Sequence, residues 1–339
     1  MPPLVFPSLV NETSGDPGLF VPFAYDRLAY LFDLGNISAL SSRNLLKVSH
    51  VFVSHTHMDH FIGFDTLLRI ILGRDKTLYL FGPEGFLANV EGKLAGYSWN
   101  LVNNYSNPLI LEVAELTGVY LTRRRLSCQH QFQPISEDVR RVTDAPAVLC
   151  EDAMHSVTAA ILDHGLPCLG FALEENFRIN IRKDMLNRLD LATGPWLHEL
   201  KQAIYNRENP DSVISAPTAG RKTGEKTFRL ADLADQLAII SKGQKISYIA
   251  DVAYNRGNIE KIRRLAKDSD HLFIESPFLE SDRSHARRKK HLTARQAGEI
   301  AGLVGARRFT LFHFSPRYDM PASAFYAEAN KAYEAAIKT

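Results

Sequence analysis

Residues 51–64 read V-F-V-S-H-T-H-M-D-H-F-I-G-F, an apolar run followed by four metal-capable side chains within six positions: His55, His57, Asp59 and His60. In an extended chain alternate side chains share a face, so His55 and His57 can point the same way. Asp59 and His60 fall where the strand V-S-H-V-F-V-S-H (48–55) gives way to helical spacing in F-I-G-F-D-T-L-L-R-I-I-L. A chain that reverses there can aim one pair of donors at one cation and the other pair at a second. Donors held at a strand's C-terminal edge are also where α/β proteins place their sites.

Four residues do not complete two metal shells, since divalent ions need several donors within about 2.0–2.2 Å. Three further candidates stand at predicted strand ends or in turn-like contexts: His155 in E-D-A-M-H-S-V, Asp251 closing K-I-S-Y-I-A-D, and His313 in L-F-H-F-S-P-R-Y. A carboxylate can bridge two cations. The expected sets are therefore His55, His57, His155 and Asp251 for one ion, and Asp59, His60, His313 and the same Asp251 for the other. Zinc suits such donors, two ions per chain, and manganese or iron also suit them.

The rest of the chain supports a layered α/β fold with two sheets and outer helices. Strands are predicted over 28–36, 75–83, 109–116, 119–126, 271–276 and 309–315, and helices over 258–268 and 293–303. From Glu174 to about Phe228 the texture turns polar and irregular, which reads as an inserted arm on a single domain spanning 1–339. With 45% hydrophobic and 23% charged residues over 339 positions and a net charge of +2, the chain has ample material for a core and no signature of disorder. Its cysteines are Cys128, Cys150 and Cys168, an odd number without C-x-x-C spacing, which argues against a disulfide framework and for a reducing compartment. The N-terminus has no basic lead or long apolar region, and there is no run of about 18 apolar residues. The expectation is a cytoplasmic protein without membrane contact.

H-T-H-M-D-H matches the H-x-H-x-D-H signature of the metallo-β-lactamase superfamily. H-L-T-A-R-Q-A-G-E-I-A (291–301) followed by F-T-L-F-H-F-S-P-R-Y (309–318) closely resembles the closing motifs of the ribonuclease Z branch, and G-P-W-L-H-E-L-K (194–201) resembles that branch's arm motif. The resemblance runs from about Leu31 to the C-terminus. It implies a four-layer αββα metallo-β-lactamase sandwich with a protruding RNA-binding arm over 174–228, a homodimer, and cleavage of precursor transfer RNA at its 3′ trailer by a two-metal activated hydroxide. It further implies that His291 donates a proton to the leaving oxygen. Asp59 would also handle the attacking water, and Glu275 would orient His291. Gly194, Pro195, Lys201 and Arg317 are the expected substrate contacts. Lys and Arg of the run R-S-H-A-R-R-K-K-H (283–291) can hold RNA phosphates. The sequence departs from the branch in F-P-S-L-V-N-E-T-S-G-D-P-G near its start, in A-D-V around Asp251 and in Ile274. These departures mark a divergent member and leave another phosphodiester open as substrate. A small-substrate hydrolase on the same scaffold, such as a cyclic phosphodiesterase or lactonase, is the alternative. A non-catalytic RNA-binding relative is disfavoured by the intact donor set.

Overall fold

The structure, a computed structural model, describes residues 5–24, 27–142, 146–219 and 224–338. The chain divides into two compact units. Of the described residues, the larger comprises those within 5–149, 157–173 and 245–338, and the smaller those within 150–156 and 174–244.

The first sheet takes its strands in chain order: β1 (Ser8–Leu9), β2 (Leu19–Pro22), β3 (Ala29–Phe32), β4 (Val48–Phe52), β5 (Lys76–Pro83), β6 (Leu109–Thr117), β7 (Tyr120–Ser127) and β8 (Pro134–Arg141). β3 to β6 are mutually parallel. β8, P-I-S-E-D-V-R-R, is exposed along its whole length, and its charges suit a sheet edge that must not pair further. Next in the chain come β9 (Ala147–Glu151), β10 (His155–Asp163) and β11 (Pro167–Glu175). The smaller unit then supplies β12 (Arg178–Ile181), β13 (Val213–Pro217), β14 (Glu225–Arg229) and β15 (Ala238–Ser241). The last strands are β16 (Lys245–Ile249), β17 (His271–Glu275) and β18 (Phe309–Phe312). The second sheet has the order β18-β17-β16-β11-β10-β9, with β16, β17 and β18 parallel.

Period-two alternation decides what each strand of the larger unit faces. On β4, Val51 joins a cluster with Phe64, Leu67 and Ile71 of the helix Phe64–Ile71 and with Phe86, Val90 and Leu94 of the helix Phe86–Ala95. Phe52, between Val51 and Val53, turns to the other face. There it stacks on Phe32 and Phe81, with ring centroids 4.9 and 5.1 Å away, and meets Phe171 of β11 at 5.8 Å. Phe32 also lies 5.9 Å from Tyr248 of β16. This aromatic layer is the contact between the two sheets. Leu272, Ile274, Ile249 and Leu311 of the second sheet pack instead against the helices Arg256–Leu265, Ala294–Leu303 and Ala322–Ala336. The order helix, sheet, sheet, helix is the expected four-layer sandwich.

The smaller unit has its own core. Trp196, Leu200 and Ala203 of the helix Trp196–Tyr205 pack with Ile179, Leu186, Leu230, Leu233 and Leu237. β12 pairs with β15 and β13 with β14, both antiparallel. The sequence reading ended the inserted segment at 228, whereas this unit runs to Gln244 and includes residues 150–156. Residues 220–223 of that segment lie outside the described residues.

The helices Ala294–Leu303 and Ala322–Ala336 touch backbone to backbone at Gly298, where an added Cβ would stand 2.0 Å from the Ala329 carbonyl oxygen. No real Cβ occupies that space, so a side chain must push the helices apart. Gly298→Ala is expected to cost about 1–3 kcal/mol, the usual range for overpacking. Gly257→Ala meets nothing closer than 3.4 Å and serves as control. Urea denaturation of both variants measures the difference.

Candidate metal centre

The site begins at Asp33, just beyond β3. Its backbone is left-handed, at φ 59°, a conformation uncommon outside glycine. In that pose its fully buried carboxylate accepts hydrogen bonds from Ser54 N (2.6 Å), Ser54 Oγ (2.9 Å), Tyr248 Oη (2.9 Å) and His60 Nδ1 (2.9 Å). A carboxylate cannot donate, so His60 carries its proton on Nδ1 and turns Nε2 into the site. Sequence reading missed Asp33. Its signal is the polar residue that ends an otherwise apolar strand in L-A-Y-L-F-D-L-G.

Glycines let the donors approach. A Cβ on Gly63 would lie 2.3 Å from the Gly35 carbonyl oxygen. With hydrogen there instead, Leu34 N donates to His60 O (2.9 Å) and Gly63 N to Leu34 O (2.8 Å). The short helix Met58–Phe61, which bears Asp59 and His60, is thereby tied to the end of β3.

Asp251 follows β16 and is 2% exposed. Its two oxygens face different histidines. Oδ2 lies 3.7 Å from His55 Nε2 and 3.4 Å from His164 Nε2. Oδ1 lies 3.5 Å from His60 Nε2 and 2.9 Å from His313 Nδ1. Asp59 Oδ2 completes the second group, 3.5 Å from His60 Nε2 and 3.2 Å from His313 Nε2. His57 joins the first, its ring centroid 4.4 Å from that of His55 and 5.4 Å from that of His164. His313 takes a left-handed backbone, at φ 63°, to enter the cluster.

The structure thus brings His55, His57, Asp59, His60, Asp251 and His313 together as two adjoining groups. His155 is the correction: the first group holds His164 in its place. His155 opens β10 and His164 follows its last residue, so roughly 30 Å of extended chain separates them and one ion cannot be reached by both. His155, buried, has Nδ1 3.6 Å from Asp152 Oδ1. His164 sits in the turn between β10 and β11. Its Nδ1 donates to the Lys290 carbonyl (2.9 Å), which leaves Nε2 as a lone-pair donor towards the site. The buried Asn258 clamps that turn by accepting from Asp163 N (2.9 Å) and donating to Asp163 O (2.9 Å).

These donors fit divalent cations. Two ligands about 2.0–2.1 Å from a tetrahedral ion stand about 3.3 Å from each other, and the carboxylate–imidazole separations above bracket that value. His55 Nε2, His60 Nε2, His313 Nδ1 and Asp251 Oδ1 are buried and make no hydrogen bond among the described residues, although the last two lie 2.9 Å apart. Buried polar atoms are costly to leave unpaired, and four converging on two points mark positions for cations. Burial first, and then the neighbouring His60, lower His55 to about 2, so it stays the neutral imidazole that coordination requires. For Asp59 burial opposes the charge, but the hydrogen bond from His313 together with the neighbouring His60 and His313 overcomes it and lowers the carboxyl to about 2, which keeps it ionised.

Beside this centre, His291 Nδ1 donates to Glu275 Oε2 at 2.7 Å. The other Glu275 oxygen accepts from Val252 N (2.9 Å) and Leu292 N (3.1 Å). Glu275, Asp251, His291 and His313 also converge, but the Glu275 oxygens are occupied by these bonds. Burial disfavours its charge, yet the adjoining His291 holds its carboxyl below the ordinary range. The arrangement orients His291, with Nε2 left for other partners. Two residues on, Thr293 caps the helix Ala294–Leu303 in a reciprocal capping box with Gln296, which fixes the chain at this point. The cleft over His291, His313 and Asp59 has a volume of about 420 Å³ and is walled on another side by Ser14, Gly15 and Asp16, the stretch that departs from the branch pattern.

Of the expected substrate contacts, Gly194, Pro195 and Lys201 belong to the smaller unit and Arg317 to the larger. Pro195 is exposed and precedes the helix Trp196–Tyr205, while Gly194 lies beside the Trp196 ring. Lys201 is half-buried, and burial lowers its ammonium. Arg317 is exposed, its guanidinium 5.7 Å above the Tyr318 ring.

The donor sets predict metal content directly. Asp251→Ala is expected to lose metal from both groups and His164→Ala from the first, while His155→Ala retains a full complement. Elemental analysis of the dialysed variants measures this; retention by His164→Ala would reverse the assignment.

No protein-family model matches the chain. Among curated proteins, it is 28% identical over 291 residues to the ribonuclease Z of Deinococcus radiodurans, covering 85% of this chain and 82% of that one. It is 27% identical over 296 residues to the ribonuclease Z of Treponema denticola, covering 85% and 79%. The ribonuclease Z of Pyrococcus furiosus is 25% identical over 309 residues, covering 88% and 80%. Among solved structures, the short form of human tRNase Z superposes with a TM-score of 0.53 at 17% identity, covering 93% of this chain and 91% of that one. The metallo-β-lactamase fold protein YhfI of Bacillus subtilis gives 0.52 at 14% identity, covering 97% and 90%. The chain has the metallo-β-lactamase fold and is similar over most of its length to proteins named ribonuclease Z.

Proposed function

We propose that the chain is a zinc-dependent phosphodiesterase, an endoribonuclease that removes the 3′ trailer of precursor transfer RNA. The observation that carries this reading is Asp251, whose two oxygens each face a separate histidine group with His291 alongside. Similarity over most of the chain to proteins named ribonuclease Z supports the choice of substrate.

His55, His57, His164 and Asp251 would hold one divalent ion, and Asp59, His60, His313 and Asp251 the second. Such ions supply Lewis acidity to a water molecule and offset charge on the phosphate oxygens. Zinc suits these donors, and manganese or iron can occupy them. Water attacks phosphorus in line and the bond to the leaving 3′-oxygen breaks. Asp59, ionised and at the cleft, accepts the proton of the attacking water. His291 gives the Nε2 proton to the leaving 3′-oxygen, and Glu275 holds the ring in that pose and favours its charged form. The products are an RNA ending in a 3′-hydroxyl and a trailer beginning with a 5′-phosphate.

In this reading the smaller unit acts as the RNA-binding arm, through Gly194, Pro195 and Lys201 together with the exposed Lys183 and Arg188. Arg317 meets substrate within the larger unit. The enzyme works as a homodimer in the cytoplasm.

Incubation with precursor transfer RNA and mapping of the new 3′ end tests the reading. Hydrolysis of a nitrophenyl phosphodiester without any cut in the RNA would favour a small-substrate hydrolase instead. His291→Ala is expected to keep its metal and lose about 10²–10⁴-fold in turnover on RNA, the usual worth of general-acid catalysis. The loss should shrink with a nitrophenyl leaving group, which needs no proton. Replacing residues 176–243 with a short flexible linker is expected to leave nitrophenyl hydrolysis intact and weaken RNA binding. It should also flatten the salt dependence by about 0.7–0.9 per lost phosphate contact. Unchanged affinity and salt slope would remove the arm role.

A further inference from the structure

A second cleft, of about 670 Å³, opens on the other side of His291. Tyr254, Asn255, Arg283, Arg287, Arg288 and Lys290 line it. The helix Arg283–Lys289 stands between the two clefts. Residues four apart share a helix face: His285 and Lys289 border the cleft over the metal centre, while Arg283 and Arg287 border the second. His291 is the residue common to both linings.

The cations of the second cleft are unequally matched. Arg283 has Glu280 at 3.5 Å, and Lys290 has Asp163 at 4.0 Å. Arg287 and Arg288 have no carboxylate within 4.0 Å among the described residues; Arg288 only meets His285 Nδ1, at 3.2 Å. Two uncompensated guanidiniums in one concavity repel each other, and an anion between them relieves that repulsion with charge-assisted hydrogen bonds.

We propose that this cleft binds the backbone phosphate immediately 5′ of the scissile bond, on the leaving-group side of the substrate. The inference rests on the nuclease reading above. Attack in line starts from the side of Asp59 and Asp251, so the leaving 3′-oxygen departs towards His291. The nucleotide that bears this oxygen then lies past His291, and its own 5′-phosphate enters the second cleft, where Arg287 and Arg288 hold it. The Lys290 carbonyl, which accepts from His164 Nδ1, ties the end of this basic segment to the metal centre. The subsite and the cation positions therefore share one rigid support.

The test compares the wild type with the double variant Arg287→Gln/Arg288→Gln, both exposed positions outside the catalytic machinery. Two substrates are used: precursor transfer RNA, and the same RNA with one uncharged methylphosphonate at the phosphate 5′ of the cut. The double variant is expected to raise KM about tenfold on the unmodified RNA, in line with loss of a bidentate charge-assisted contact. Turnover, metal content and nitrophenyl hydrolysis should be unchanged. The methylphosphonate should raise the wild-type KM by a similar factor and add nothing further in the variant. An unchanged KM, or an equal further loss on the methylphosphonate RNA, overturns the proposal. If the wild type hydrolyses the nitrophenyl diester but leaves every RNA intact, the nuclease reading fails and this subsite fails with it.

Discussion

The architecture of the site follows from one buried carboxylate. Asp251 is removed from water yet held well below the usual carboxylate range, because His313 and His60 outweigh the cost of its burial. An isolated ion in that position would cost several kcal/mol even after relaxation. The surroundings are therefore constrained to present imidazoles to each of its oxygens. They come from three places: the loop and short helix after β4, the turn between β10 and β11, and the residue after β18. All three lie at the ends of strands whose ladders and aromatic layer fix them. Asp33 extends the constraint a step outwards. By orienting His60 it links the second sheet's Tyr248 to the first sheet's Ser54 through one carboxylate.

Local pattern made the central part of this arrangement legible. The run V-F-V-S-H-T-H-M-D-H predicts a strand followed by a cluster of donors, and β4 with the helix Met58–Phe61 is that arrangement. Asp251 and His313 were also readable, because each closes a short apolar run with a single polar residue. His155 and His164 show the limit. Both lie near β10, and choosing between them requires knowing which end of the strand faces the site. That depends on sheet order, which a hydrophobic pattern does not encode. The turn D-H-G was the available signal: Gly165 takes φ 86° there and lets a histidine sit at a strand's end. Asp33 was hidden for a related reason. Its partners lie 21, 27 and 215 positions away in sequence.

The inserted segment was visible as a change in composition but not in extent. Its polar surface resembles a loop when read linearly. Ile179, Leu186, Trp196, Leu200, Leu233 and Leu237 are spread over nearly sixty positions, and none of the local windows shows a core. The pairing of β12 with β15, which joins Arg178 to Ser241, and the hydrogen bonds between Glu175 and Gln244 bring its two ends together and close the unit.

Reaction chemistry and substrate choice rest on parts of the larger unit with different physical freedom. Within the donor set His55, His60, His164 and Asp251 are buried and lie against one another, and His55 and His60 share Ser54 Oγ as a partner, so a change at one alters the charge balance at the others. The cleft walls at Ser14–Asp16 and Arg283–Lys290 are tied to the donors through backbone, as at the Lys290 carbonyl, and little through side chains: most of their side chains are exposed or half-exposed, and several of their charged groups pair only at the surface. A surface pair contributes little to stability, so these walls can vary in sequence at small cost to the fold. This accounts for where the chain departs from the ribonuclease Z pattern. The stretch F-P-S-L-V-N-E-T-S-G-D-P-G supplies a wall of the cleft, whereas Asp251, within A-D-V, keeps the carboxylate on which the surrounding imidazoles converge.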